Sequence, residues 1–131
     1  MPTTAWTYRM LAWAIENRRP LSCFYGGHPR DIRPIILGRG RGGEEVALVY
    51  QVGGETSEGP IRRPDWKCFH VAGLDEIGPG KGAWQAGASH LQRQSCVVDV
   101  DYHVNEASPY RPRRSLGSLR GARRPRRPRN R

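Results

Sequence analysis

Residues 11–37 read LAWAIENRRPLSCFYGGHPRDIRPIIL, and the hydrophobic period changes twice along this stretch. At its start, Leu11, Ala14 and Ile15 join the preceding Tyr8 on one face at helical spacing, and Thr3 or Thr4 can cap that helix through a side-chain oxygen. Pro20, which lacks an N–H, stops it. From residue 21 the period falls to two, with Leu21, Cys23 and Tyr25 on one side of a strand. Gly26-Gly27 supplies a turn, and residues 32–37 then form a near-continuous apolar run, the signature of a strand buried on both faces. A helix leading into a tight hairpin is the seed of a sheet that curls around its own core.

Working outward, Arg39-Gly40-Arg41-Gly42-Gly43 reads as a second turn, and Val46, Leu48, Tyr50 and Val52 alternate as a third strand. Residues 53–64 form a polar loop, residues 66–71 a fourth strand and residues 78–87 a glycine-rich connection. Residues 95–105 give a fifth strand, with Cys96, Val98, Val100, Tyr102 and Val104 on the apolar side and Asp99, Asp101 and His103 on the wet side. About five short strands with one leading helix predict a mainly β chain, a small, strongly bent antiparallel barrel of the SH3/Sm type. Trp6, Met10 and Trp13 form a second helical stripe, readable as core or as a surface for a partner.

Charge divides the chain in two. The sequence holds 22 basic and 12 acidic residues, and ten of the arginines lie in residues 109–131, which hold no acidic residue. The remainder therefore carries 12 of each sign, so a neutral body (residues 3–106) precedes a basic Arg/Pro-rich tail (residues 107–131). The tail is too poor in apolar side chains to offset its ordering entropy and is expected to be disordered on its own. Its Arg111, Arg113, Arg114, Arg120, Arg123, Arg124, Arg126, Arg127 and Arg129 would attract phosphate backbones by releasing counterions. With no aromatic residue after Tyr110, base stacking is not expected; a solubilising tail or an adventitious extension are the competing readings. No window approaches a membrane span, the N-terminus has no signal-peptide pattern, and the odd count of Cys23, Cys68 and Cys96 reads as three buried free thiols in a reducing cytoplasm.

The order of the first segments resembles the opening of a WYL domain. There a helix with Ala14-Ile15 is followed by a strand ending in Phe24-Tyr25 and then by Arg30-Asp31-Ile32-Arg33-Pro34, the family's Arg-x-hydrophobic-x-Pro. Trp66-Lys67-Cys68-Phe69-His70-Val71 stands where the family closes its barrel, with Lys67 in place of the usual arginine, and Val46-Ala47-Leu48 stands where Trp-Tyr-Leu is usual. The resemblance spans roughly residues 8–77, extending towards 105. It implies a bacterial, non-enzymatic sensor or regulatory module that needs no cofactor, of the kind found in transcriptional regulators but without their preceding winged helix-turn-helix domain. It further implies that Tyr25, Arg30 and Lys67 bind an anionic ligand, a nucleotide or a single-stranded nucleic acid, with His70 on the same surface.

The residue types agree with that assignment. A guanidinium grips phosphate or carboxylate in a two-pronged fork, a tyrosine adds a stacking ring, and Lys67 supplies charge without the fork. Arg30 and Arg33 are three apart on a strand, so they start on opposite faces; the resemblance makes Arg33 solvent-facing. The bland reading pairs Arg30 with Asp31 or Glu45 on the surface. Other chemistry is thinly signalled. Cys68-x-His70, with His90 and Cys96, lacks zinc-site spacing, and the same pair is a remote candidate for nucleophilic catalysis. Asp99 and Asp101 share a face that suits a hard cation or merely water, and residues 78–82 lack the ending of a phosphate loop. The alternative to ligand binding is a protein-interaction or homo-oligomeric assembly module that pairs through its sheet edges.

Overall fold

The computed structural model describes residues 4–85, 96–103, 119 and 121–127. Helix α1 (Thr4–Asn17) is followed by strands β1 (Leu21–Tyr25), β2 (His28–Arg39), β3 (Glu45–Thr56), β4 (Gly59–Pro60) and β5 (Asp65–His70). A single 3-10 turn (Val71–Gly73), β6 (Leu74–Pro79) and β7 (Asp99–His103) complete the described elements. All pairings are antiparallel, and the path β5-β3-β2-β1-β6 forms a curled half-barrel, as the sequence predicts. No helix among the described residues is long and apolar enough to cross a membrane.

Local chemistry explains the first elements. The helix ends where Arg18 takes a positive φ of 51° and Arg19 N–H donates to the Ala14 carbonyl at 2.9 Å, a left-handed cap usually filled by glycine. Tyr25 pairs with His28 across Gly26 and Gly27, whose φ values of 61° and 78° are those of a type I′ hairpin. Strand β2 is the spine: β3 lies along one edge, while β1 and β7 share the other edge end to end. A register shift between Pro34 and Ile36 bends β2 at the changeover, because the extra residue twists the strand.

The core gathers Leu11 and Ile15 of α1 with Leu21, Ile32, Ile35, Ile36, Leu37, Ala47 and Val49. Trp6 and Met10 are buried too, so the second helical stripe is core for these two residues, while Trp13 is half-buried.

Five expectations change. Strand β6, pairing with β1, lies between the expected fourth strand and the glycine-rich connection, where no strand is predicted, and the polar loop of residues 53–64 begins as strand, since β3 runs to Thr56 and pairs with β4. The last strand begins at Asp99, so Val97 is buried while Val98 is 54% exposed, the reverse of the predicted alternation; residues 104 and 105 lie outside the described residues. Cys68 and Cys96 form a disulfide, leaving only Cys23 as a free, buried thiol. Three free thiols therefore no longer argue for a reducing compartment. Arg33, predicted to face solvent, is only 2% exposed.

Candidate ligand site at the Tyr25–Arg30 corner

The hairpin register brings Tyr25 and Arg30 together. Arg30 sits opposite Cys23 on β1 and opposite Gly54 on β3, and it folds back toward the end of β1. Its Nη2 donates to the Tyr25 carbonyl at 3.1 Å and its Nη1 to Gln51 Oε1 at 3.2 Å. The guanidinium carbon lies 5.8 Å from the Tyr25 ring centre and 5.2 Å from that of Phe69. These rings stack on each other at 4.1 Å, and the Tyr25 hydroxyl accepts the His70 backbone N–H at 3.1 Å. Tyr25 thus ties the end of β1 to the end of β5, where no ladder joins them.

Gln51 fixes the other side. It is fully buried, and its Nε2 donates to the Gly53 and Glu55 carbonyls, each at 3.0 Å, which aims its oxygen at Arg30. Arg30 is 8% exposed and makes no ion pair among the described residues, and its Nε is buried without a partner. A buried guanidinium with an unused N–H and no counter-charge is an expensive arrangement for a folded chain.

A cavity of about 260 Å³ adjoins it, lined by Cys23, Phe24, Arg30, Asp31, Gly54 and Glu76 among others. Two irregularities open the sheet here. The β2–β3 register shifts between Asp31 and Ile32, and the β1–β6 register shifts between Ser22 and Phe24. Glu76 takes a φ of 49° beside the second shift, and Gly54 a φ of 87° beside the first. A side chain on Gly54 would collide with the Pro29 carbonyl, so the wall needs glycine there. Burial pushes the Cys23 thiol up to about 12, against the pull of the Arg30 charge and with a further push from Asp31, so it is no nucleophile at neutral pH. Phe24, 39% exposed, lies at the cavity edge.

The other predicted contacts lie elsewhere. Lys67 pairs with Asp65 at 3.8 Å and does not line the cavity. Alternation along β5 puts the exposed His70 on the face of Trp66 and Cys68, away from Lys67 and Phe69. Arg30 pairs with neither Asp31 nor Glu45. Arg33 spends its guanidinium on three carbonyls: Nε to Ala83 at 3.0 Å, Nη2 to Lys81 at 2.7 Å and Nη1 to Ile32 at 3.2 Å. Burial lowers its pKa from the usual arginine value, with Asp31 acting in the opposite sense.

Metal chemistry finds no cluster of three or more ligand residues among those described, and His90 lies outside them. Cys68, being disulfide-bonded, offers neither a thiolate ligand nor a nucleophile. Asp101 accepts a hydrogen bond from the Tyr8 hydroxyl at 2.6 Å, and burial first, then this bond, raises the tyrosine pKa. Both line a cleft of about 600 Å³ with Arg39, Glu45 and Asp99. Of the tail arginines, Arg123, Arg124, Arg126 and Arg127 are described, whereas Arg111, Arg113, Arg114, Arg120 and Arg129 lie outside the described residues.

Gln51, Asp31 and Glu76 are the site residues that the sequence did not mark. Gln51 alone carried a signal, a polar side chain within the run Val49-Tyr50-Gln51-Val52. No family model, no curated protein and no solved structure matches this chain.

Proposed function

We propose that this chain is a non-catalytic binding module whose ligand site is the cavity beside Arg30. The observation that carries the reading is a buried guanidinium with no carboxylate partner among the described residues, on a residue that lines the cavity. An anionic group entering the cavity would supply the missing charge. The carboxylates of Asp31 and Glu76 line the same space, so the ligand must also bring donors. A small molecule with a phosphate or carboxylate at one end and hydroxyl or amino groups at the other meets both demands, as a nucleoside phosphate or an amino acid would. The volume of about 260 Å³ suits a ligand of that size. The resemblance to WYL sensor modules supports a regulatory role, with Tyr25 holding the corner together.

The test is a thermal-shift and calorimetric screen of nucleoside phosphates, sugar phosphates and amino acids against the full chain and Arg30→Lys. A hit should bind the wild type and lose at least about tenfold in affinity in the variant, because lysine cannot present the guanidinium fork. A hit that binds Arg30→Lys equally well would place the ligand elsewhere.

A further inference from the structure

Leu119 and residues 121–127 run antiparallel to α1, against the side that it shares with β6. Near the end of the helix, Asn17 Nδ2 donates to the Leu119 carbonyl at 3.0 Å, and Asn17 Oδ1 accepts the Gly121 N–H at 2.7 Å. The Glu16 carboxylate accepts the Leu119 N–H. One turn earlier Trp13 Nε1 donates to the Ala122 carbonyl at 2.8 Å. Near the start of the helix the Arg127 guanidinium carbon lies 5.7 Å from the Trp6 ring centre, and its Nη2 reaches the Ile77 carbonyl at 3.4 Å.

Helix side chains therefore hold residues 119–122 of this strap by their backbone, while Leu119 packs against the core and Arg127 docks by its side chain. Of its four described arginines, Arg127 is the one whose guanidinium contacts the body. Arg123, Arg124 and Arg126 are exposed and make no ion pair among the described residues. No more than about 10 Å of chain separates Arg123 from Arg126. The fixed segment thus carries three exposed cations within a short stretch of chain, with no acidic residue within it.

We propose that the strap is a mount which fixes Arg123, Arg124 and Arg126 as a basic ridge for the phosphodiester backbone of a nucleic-acid strand. Arginines on an anchored backbone lose less freedom on binding than those on a free arm, so they bind more tightly at equal charge. The site reads charge and not sequence, because Trp6 is buried and Trp13 half-buried, and the strap holds no aromatic residue to stack on a base. The ridge is independent of the Arg30 cavity, and either can fail without the other.

The experiment is fluorescence anisotropy of a labelled oligothymidylate over a salt series, with the full-length chain. Asn17→Ala combined with Trp13→Phe removes three of the strap's anchoring hydrogen bonds and no arginine; release is read by faster hydrogen exchange in residues 119–122. The expected result is a three- to tenfold weaker affinity, roughly the gain from preorganising a few side chains. Tighter binding on release would mean that docking holds the arginines back. Unchanged binding with the strap released would mean a free arm. Either overturns the proposal. A second variant, Arg123→Gln with Arg124→Gln and Arg126→Gln, decides the matter even if the strap stays docked. It should lower the slope of log affinity against log salt by about 2, for three lost single-strand contacts, and an unchanged slope overturns the proposal. Arg30→Lys, run in parallel, should leave oligothymidylate binding unchanged if ridge and cavity are separate sites.

Discussion

Arg30 and Arg33 stand three residues apart on one strand, and both are buried without a carboxylate in ion-pair contact among the described residues. Arg33 is satisfied: each guanidinium nitrogen donates to a carbonyl, and the side chain pins residues 81–83 against the sheet. Arg30 is not, because two nitrogens have acceptors while Nε has none and a cavity lies alongside. One residue type serves two purposes according to what its N–H groups meet. A guanidinium with an acceptor at every nitrogen holds the fold together, and one left short invites a ligand.

The sharpest way to break the comparison is to remove the satisfied arginine. Arg33→Met should cost about 3 kcal/mol, since three carbonyls lose their donor and the loop they belong to loses its anchor. Urea denaturation measures this directly, and faster exchange in residues 80–84 should accompany it. A loss under about 1 kcal/mol would mean that water replaces the guanidinium, and Arg33 would then be no more structural than Arg30.

Cys23, opposite Arg30 in the hairpin, reports on the charge of that corner. Its thiol is raised from 9.0 to about 12, so the thiol contributes stability that is fully present below pH 9. Above that pH the unfolded chain gives up the proton while the folded chain keeps it, and the contribution is lost as pH climbs towards 12. Between pH 9 and 11 the wild type should therefore lose up to about 2 kcal/mol more than Cys23→Ala, measured as the difference between their denaturation midpoints. Since the Arg30 charge draws this pKa down, Arg30→Met should also slow alkylation of Cys23. Equal rates would show that the thiol does not sense the guanidinium.

Tyr25→Phe separates the tyrosine's two duties. The ring keeps its stack on Phe69 and the backbone carbonyl still accepts from Arg30, so the corner survives. Only the acceptor for the exposed His70 N–H disappears, and water can replace it, so the expected cost is about 0.5–1 kcal/mol. Ligand affinity should stay within about twofold. A large loss of binding at unchanged stability would make the hydroxyl a direct contact.

Much of this corner was legible. Gly26-Gly27 sets a two-residue turn, and once Tyr25 faces His28 the register carries Arg30 back opposite Cys23. The helix and the doubly buried β2 follow from period and composition. What was hidden has physical reasons. β6 escapes because Asp75 and Glu76 interrupt its apolar pattern at a bulge with positive φ. The burial of Arg33 leaves no mark in the sequence, since its acceptors are backbone carbonyls, two of them about fifty residues away, and any residue could supply them. The Cys68–Cys96 pairing depends on where β3 and β7 flank β2, which spacing alone does not state. The docking of the strap left little mark in the sequence, because most of its hydrogen bonds use backbone groups that every sequence possesses, with Leu119 and Arg127 its side-chain contributions.

The smallest stability change is expected from Arg30→Met, and it bears most directly on function. Methionine has similar reach and packs well against the Tyr25 and Phe69 rings. The substitution loses two hydrogen bonds and the attraction of a cation to two ring faces, each about 1 kcal/mol. It also removes a buried charge without a counter-ion, a relief of comparable size. The balance should fall within about 1 kcal/mol of the wild type, well below the loss for Arg33→Met. Ligand-induced stabilisation should vanish in the same protein, whatever anionic molecule the screen identifies. If Arg30→Met instead unfolds the chain as readily as Arg33→Met, the two arginines are alike in function. The unpartnered Nε would then be a tolerated flaw in a structural clamp.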